Sequence, residues 1–189
     1  MFRRAILIFL TYVSCFIDMG AVRASNSPAI SLLEAHQIGL GEARKWDTQA
    51  ELIYITSVGD KGSMPPSTLG HDGKREIWNL LFTNGPRNQT LIINIKKGKI
   101  AIEQIAKENT QDFKIIPQGD LLLDSTDMVQ TAIKYGIRPG EGWAEGYHFK
   151  ISKDQHALFF GVIGQNKDGK MTKLYMDKAG KVLGSETKK

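Results

Sequence analysis

Short runs rich in β-branched and aromatic residues, joined mostly by turns of a few residues, confine this chain to antiparallel sheet, because parallel neighbours need crossovers of a dozen or more residues. Glu51 to Thr56, Glu76 to Thr83 and Thr90 to Lys96 form a first group of such runs. Asn84-Gly85-Pro86-Arg87-Asn88 reads as the hairpin loop between the second and third, and Lys97-Gly98-Lys99 as the turn into Ile100 to Glu103. Tyr147 to Ile151, Ala157 to Ile163 and Met171 to Met176 form a second group, with Asn166 to Gly169 as its turn and Lys178 to Leu183 closing it. Val58 to Lys74, rich in glycine and carrying Pro65 and Pro66, reads as a long surface loop.

A helical stretch precedes each group. Leu32, Ala35, Gly39, Ala43 and Trp46 recur at spacings of three and four, which predicts a helix from about Ser31 to Trp46 entered through Ser27-Pro28. Gly39 and Gly41 each weaken such a helix by roughly 1 kcal/mol relative to alanine, so it must dock on a sheet to persist. Asp124 to Asp127 supply capping oxygens for a second helix, with Val129, Ala132, Ile133 and Gly136 on one face and Gly136 as its stop. Ile77-Trp78 matches Phe159-Phe160, and Gly98-Lys99-Ile100 matches Gly180-Lys181-Val182, both at an offset of 82 residues. The expected fold class is therefore α+β: two tandem repeats, each a helix on its own small antiparallel sheet, over residues 25–106 and 107–189.

Residues 1–24 have the layout of a secretory signal. Arg3 and Arg4 precede an apolar stretch from Ala5 to Ile17, and Val22-Arg23-Ala24 supplies small residues for cleavage after Ala24. The stretch is shorter than the roughly 20 residues a membrane-spanning helix needs, and no later segment is apolar enough to span, so a periplasmic or secreted location without a stable membrane span is expected. Tyr12-Val13-Ser14-Cys15 resembles a lipoprotein cleavage box, but Tyr12 stands where leucine is usual, which argues against a lipid on Cys15. Cleavage after Ala24 would remove the sole cysteine, leaving burial to hold the fold. It would also lower the formal charge from +5 to +3 by removing Arg3, Arg4, Arg23 and Asp18. So small a positive charge on an exported chain does not suit nucleic acid.

The Asp-Ser helix start, the aromatic-led strand, Asp168-Gly169-Lys170 and the closing Asp177-Lys178-Ala179-Gly180-Lys181-Val182 together resemble the PepSY domain family. The closing motif carries most of that likeness, with Lys178 where the family commonly has alanine and Ile95-Lys96-Lys97-Gly98 in the first half. The resemblance implies a helix on a small antiparallel sheet, export, and a role in restraining or chaperoning peptidases. It implies no catalysis, and any inhibited peptidase would be a separate exported protein.

The residues themselves assemble no catalytic or metal constellation. His36, His71, His148 and His156 have no zinc-ligand spacing, although His148 and His156 lie on runs that could neighbour one another. No Gly-x-Ser-x-Gly elbow occurs, and Gly140 to Gly146 has its third glycine one place late for a dinucleotide loop and follows a helix where that fingerprint requires a strand. No enzyme, metal or cofactor is expected. The expected function is partner binding, with modulation of a peptidase as its sharper version and carriage of an apolar small molecule between helix and sheet as the alternative. Candidate binding residues are Met64 in the loop Val58 to Lys74 and Arg138, Glu141, Trp143 and Glu145 in a second, glycine-rich loop from Arg138 to Gly146, Trp143 because tryptophan is favoured at interface hot spots.

Overall fold

Ser31 starts the first helix, α1 (Leu32–Trp46), through a reciprocal capping box: its hydroxyl accepts from the Glu34 N–H, and the Glu34 carboxylate accepts from the Ser31 N–H. The remaining exposed N–H groups of that first turn are met from far along the chain. Leu32 N–H donates to Ser125 Oγ at 2.9 Å and Leu33 N–H to Asp124 Oδ1 at 3.1 Å. Asp124 is the N-cap and Ser125 the first residue of the second helix, α2 (Ser125–Lys134), so the start of α2 also caps the start of α1. Asp124→Ala removes acceptors from both starts and is expected to cost about 2 kcal/mol, read as a lowered urea midpoint.

The computed structural model describes residues 29–59, 68–107, 110 and 113–188. After α1 come β1 (Glu51–Val58), β2 (Ile77–Thr83), β3 (Thr90–Lys96) and β4 (Lys99–Ala106). After α2 come β5 (His148–Lys153), β6 (Leu158–Gln165), β7 (Met171–Met176) and β8 (Val182–Thr187). All eight strands form one antiparallel sheet in the order β4-β3-β2-β1-β5-β6-β7-β8.

This corrects the expected fold class. The chain does not build two tandem repeats with a sheet each, since β1 and β5 pair and merge both groups of strands into one sheet. Each of those strands would otherwise be an edge with unpaired N–H and C=O groups, and joining them removes both edges. The seam is narrow. Only Ile55 opposite Ile151 and Thr56 opposite Lys150 are in register, while β1 and β2 pair along most of their length. Side chains extend the seam: Ser57 Oγ accepts from Phe149 N–H at 2.9 Å, and Thr56 Oγ1 donates to Phe149 O at 3.2 Å.

Both helices lie on one face of the sheet, over a core made by alternate strand residues. Trp78, Leu80 and Phe82 of β2, Leu91, Ile93 and Ile95 of β3, Phe149 and Ile151 of β5, and Phe160 and Val162 of β6 are all fully buried. The glycine face of α1 makes the close approach the sequence called for, since a Cβ at Gly39 would lie 2.7 Å from Leu80 Cδ2. Trp46, expected on the same stripe, is only half-buried. On α2, Met128, Val129 and Ala132 face the core, whereas Ile133, expected on that face, is 44% exposed. Gly136 follows the helix with φ of 93°, a conformation that favours glycine. The capping residue of α1 is Ser31, and Ser27-Pro28 lies outside the described residues, as do residues 1–24 and 60–67 of the first loop.

Candidate functional site

Strand alternation fixes what the sheet shows on its other side. Between the buried positions stand Tyr54, Thr56, Asn79, Leu81, Ile92, Asn94, Lys150, Ser152, Phe159, Ile163, Lys173 and Tyr175, all half-buried, and among the described residues no helix lies over them. Among them, Asn94 Nδ2 donates to Asn79 Oδ1 at 2.7 Å across β2 and β3. A sheet face this mixed in character, with aromatic, aliphatic and amide groups, is suited to contact with another polypeptide.

Two adjoining hollows mark one end of this face. The larger, of about 530 Å³, is bounded by Tyr54, Leu81, Phe113, Lys114 and the β5–β6 turn from Ser152 to Gln155. The second, of about 330 Å³, continues from Ser152, Lys153 and Asp154 to Lys150, Phe159 and Tyr175. Together they cross the seam from β2 to β7, four strand spacings or about 19 Å. Phe113, 45% exposed, stands at the first end. Phe159 and Tyr175 meet edge to face with centroids 5.6 Å apart at the other.

Lys150 is central. A side chain at Gly161 would come within 3.0 Å of Lys150 Cγ, so the lysine stem occupies the space left by the glycine, and its ammonium lies 5.5 Å from the Tyr175 ring centroid. Burial, and then the neighbouring charge of Lys173, lowers the Lys150 pKa below the usual lysine value. The nearby acids are engaged elsewhere. The Asp154 carboxylate accepts from the N–H groups of His156 at 2.7 Å and Ala157 at 2.8 Å, and Glu186 accepts from the Tyr175 hydroxyl at 3.0 Å and from Lys173 at 3.4 Å.

A third hollow, of about 350 Å³, lies at the opposite end of the seam, bounded by Val58, Gly59, Ala144, His148, Ile163, Met171 and Lys173. Behind it Arg75 is 2% exposed and its guanidinium donates to Glu145 O at 3.4 Å, while its Nε and the Nε2 of His148 have no hydrogen-bond partner among the described residues. Burial and the adjacent Arg75 push His148 down to about 4, and burial lowers Arg75 to about 10. The guanidinium therefore stays charged at neutral pH while the imidazole is neutral.

The second candidate loop is held at this same end. Backbone pairing of Arg138 with Gln165 and of Gly140 with Gly146 closes it, and Glu141 and Glu145 are exposed on it. Arg138 thus sits at the far end of β6 from Phe159, so the loop and the two-part groove are separate places on the molecule. Met64 and the side chain of Trp143 lie outside the described residues. His148 begins β5 and His156 follows its end, so these histidines do not meet. Among the described residues no group of three or more metal-ligating side chains occurs, and no helix is long and apolar enough to cross a membrane. The groove residues Lys150, Phe159 and Tyr175 are not among the binding residues expected from sequence, where their place as the outward members of alternating strands is the available signal.

No protein-family model matches the chain, and no curated protein matches it, so the PepSY resemblance rests on its motif residues alone. Among solved structures, the chain is similar to a provisionally assigned lipoprotein of Clostridium difficile 630, with a TM-score of 0.59 over 81% of this chain and 92% of that one. At 12% identity that likeness concerns the fold.

Proposed function

We propose that the protein is an exported, non-catalytic binding protein that holds another exported protein on the face of its sheet opposite α1 and α2. The observation carrying this reading is the groove crossing the seam between Phe113 and Tyr175, lined by aromatic rings and lysines. The close contact of α1 with the sheet at Gly39 weighs against the alternative of an apolar molecule enclosed between helix and sheet. Restraint of a peptidase is the sharper version, and its support is the PepSY-like closing motif from Asp177 to Val182. Photo-crosslinking from Leu81 or Ser152 in the exporting cell is expected to trap one discrete partner. Trapping from Arg138 but from neither groove position would overturn the reading.

Export is supported by the layout of residues 1–24 and by the lipoprotein assignment of the structural neighbour. That same neighbour favours a second form of export, with a lipid on Cys15 anchoring the chain to a membrane. Mass spectrometry of the protein from its own cell decides between them: a mature chain beginning at Ser25 is expected for the soluble form, and a lipidated Cys15 for the anchored one. A cytoplasmic protein that keeps Met1 to Ala24 would contradict export.

A further inference from the structure

Resting on that reading of the sheet face, we infer that the groove across the seam takes an extended, acidic segment of the partner, with one aromatic or aliphatic side chain seated between Tyr54, Leu81 and Phe113. Charge selects the class of segment. The groove is lined by Lys114, Lys150 and Lys153 against Asp154, whose carboxylate is already bonded to two backbone N–H groups, while Glu186, whose field reaches Lys150, is bonded to Tyr175 and Lys173. Lys153 stands at the rim within reach of the field of Asp120, whose carboxylate is bonded to Lys178 at 2.8 Å. Lys114 and Lys150 have no ion-pair partner among the described residues. A half-buried ammonium such as that of Lys150 gains more from an arriving carboxylate than a fully hydrated one, because less water remains to screen the pair.

Length and shape narrow the occupant further. The groove runs across the strands, and about 19 Å of extended chain is about six residues. The hollow beside Phe113 has an apolar wall from Tyr54 and Leu81, which accepts a ring or branched side chain and fixes the register of the segment. At the other end the Phe159–Tyr175 pair closes the groove.

The test uses the whole exported chain and a fluorescein-labelled hexapeptide, Glu-Asp-Phe-Glu-Asp-Glu, with two controls in which glutamine or lysine replaces every acidic residue. Anisotropy is expected to show the acidic peptide binding about tenfold tighter than the glutamine form, the lysine form not binding, and affinity falling as salt rises. Lys150→Met keeps the stem over Gly161 and removes the charge, and together with Lys114→Met it is expected to weaken binding about tenfold with an unchanged circular dichroism spectrum. Amide resonances of Tyr54, Phe159 and Tyr175 are expected to shift on titration. If the glutamine peptide binds as tightly and moves the same resonances regardless of the lysines, the acidic inference falls while the face remains a binding surface. If phosphatidylglycerol vesicles engage the same lysines and displace the acidic peptide at lower concentration, the occupant is a membrane surface and the inference falls. If no peptide moves any of these resonances at about millimolar concentration, both the inference and the reading beneath it fail.

Discussion

Between pH 6.5 and pH 4 the protein is expected to lose several kcal/mol of stability, a loss that begins above the range in which most carboxylates take up protons. His36 and His148 are 5% and 7% exposed, and each is pushed down to about 4, His36 by burial and then by Arg44, His148 by burial and then by Arg75. A histidine whose pKa falls on folding favours the fold while neutral. That stability is fully present above 6.5, drains away as the unfolded chain takes up protons the folded one refuses, and is gone once the pH passes through the folded value near 4. A shift of this size corresponds to about 3 kcal/mol per histidine, against a total of about 5–15 kcal/mol for a typical domain. Urea midpoints at pH 7 and pH 4.5 are expected to differ by most of the transition. Gln at either position should remove roughly half of the pH dependence, while a midpoint that does not move in wild type would contradict the burial of these rings. Asp120, Asp154 and Glu186 also hold lowered pKa values through hydrogen bonds to Lys178, to backbone N–H groups and to Tyr175, and their loss follows at more acid pH.

Trp78→Ala is expected to cost about 3–5 kcal/mol and to unfold the whole sheet in one transition. The indole is fully buried and donates from Nε1 to Arg75 O at 3.1 Å and Ile30 O at 3.2 Å. It also stacks on Phe149, centroids 6.4 Å apart, across the seam between the two groups of strands. Truncation therefore empties a large volume, strips a donor from two carbonyls and breaks a contact that ties β2 to β5. Phe149→Ala should be non-additive with it by about 1 kcal/mol in a double-mutant cycle. Two separate unfolding steps, one for each group of strands, would show that the indole does not couple them.

Local structure was legible because it follows from periodicity and turn chemistry. The stripe Leu32, Ala35, Gly39, Ala43 is buried as its spacing requires, and the strand runs match β1 to β7 to within a few residues, whereas β8 (Val182–Thr187) reaches past Leu183, the expected end of the closing segment. The positions matched at an offset of 82 sit in equivalent surroundings: Trp78 and Phe160 are fully buried in β2 and β6, and Gly98 and Gly180 have φ of 72° and 79° in the turns after β3 and β7. What alternation does not encode is which sheet edge meets which. Ile55 and Ile151 would be buried beneath a helix whether β1 and β5 were edges or neighbours, so their pattern is silent on the seam that makes one sheet of two. The groove was illegible for the same reason, being assembled from β1, β2, β5, β6 and β7 only after that seam closes. Trp143 and the glycines of the loop from Arg138 to Gly146 are properties of a segment and so are visible in sequence, whereas Lys150 owes its position to Gly161 on another strand.

The groove exists only if β1 lies beside β5 and the sheet is continuous there. Isotope-edited nuclear Overhauser spectra of the folded protein test this directly. Cross-peaks linking the backbone protons of Ile55 and Thr56 to those of Ile151 and Lys150 are predicted. A spectrum with strong cross-peaks between β1 and β2 and between β5 and β6, but none across Ile55–Ile151 and Thr56–Lys150, would contradict the single sheet and the binding face built on it.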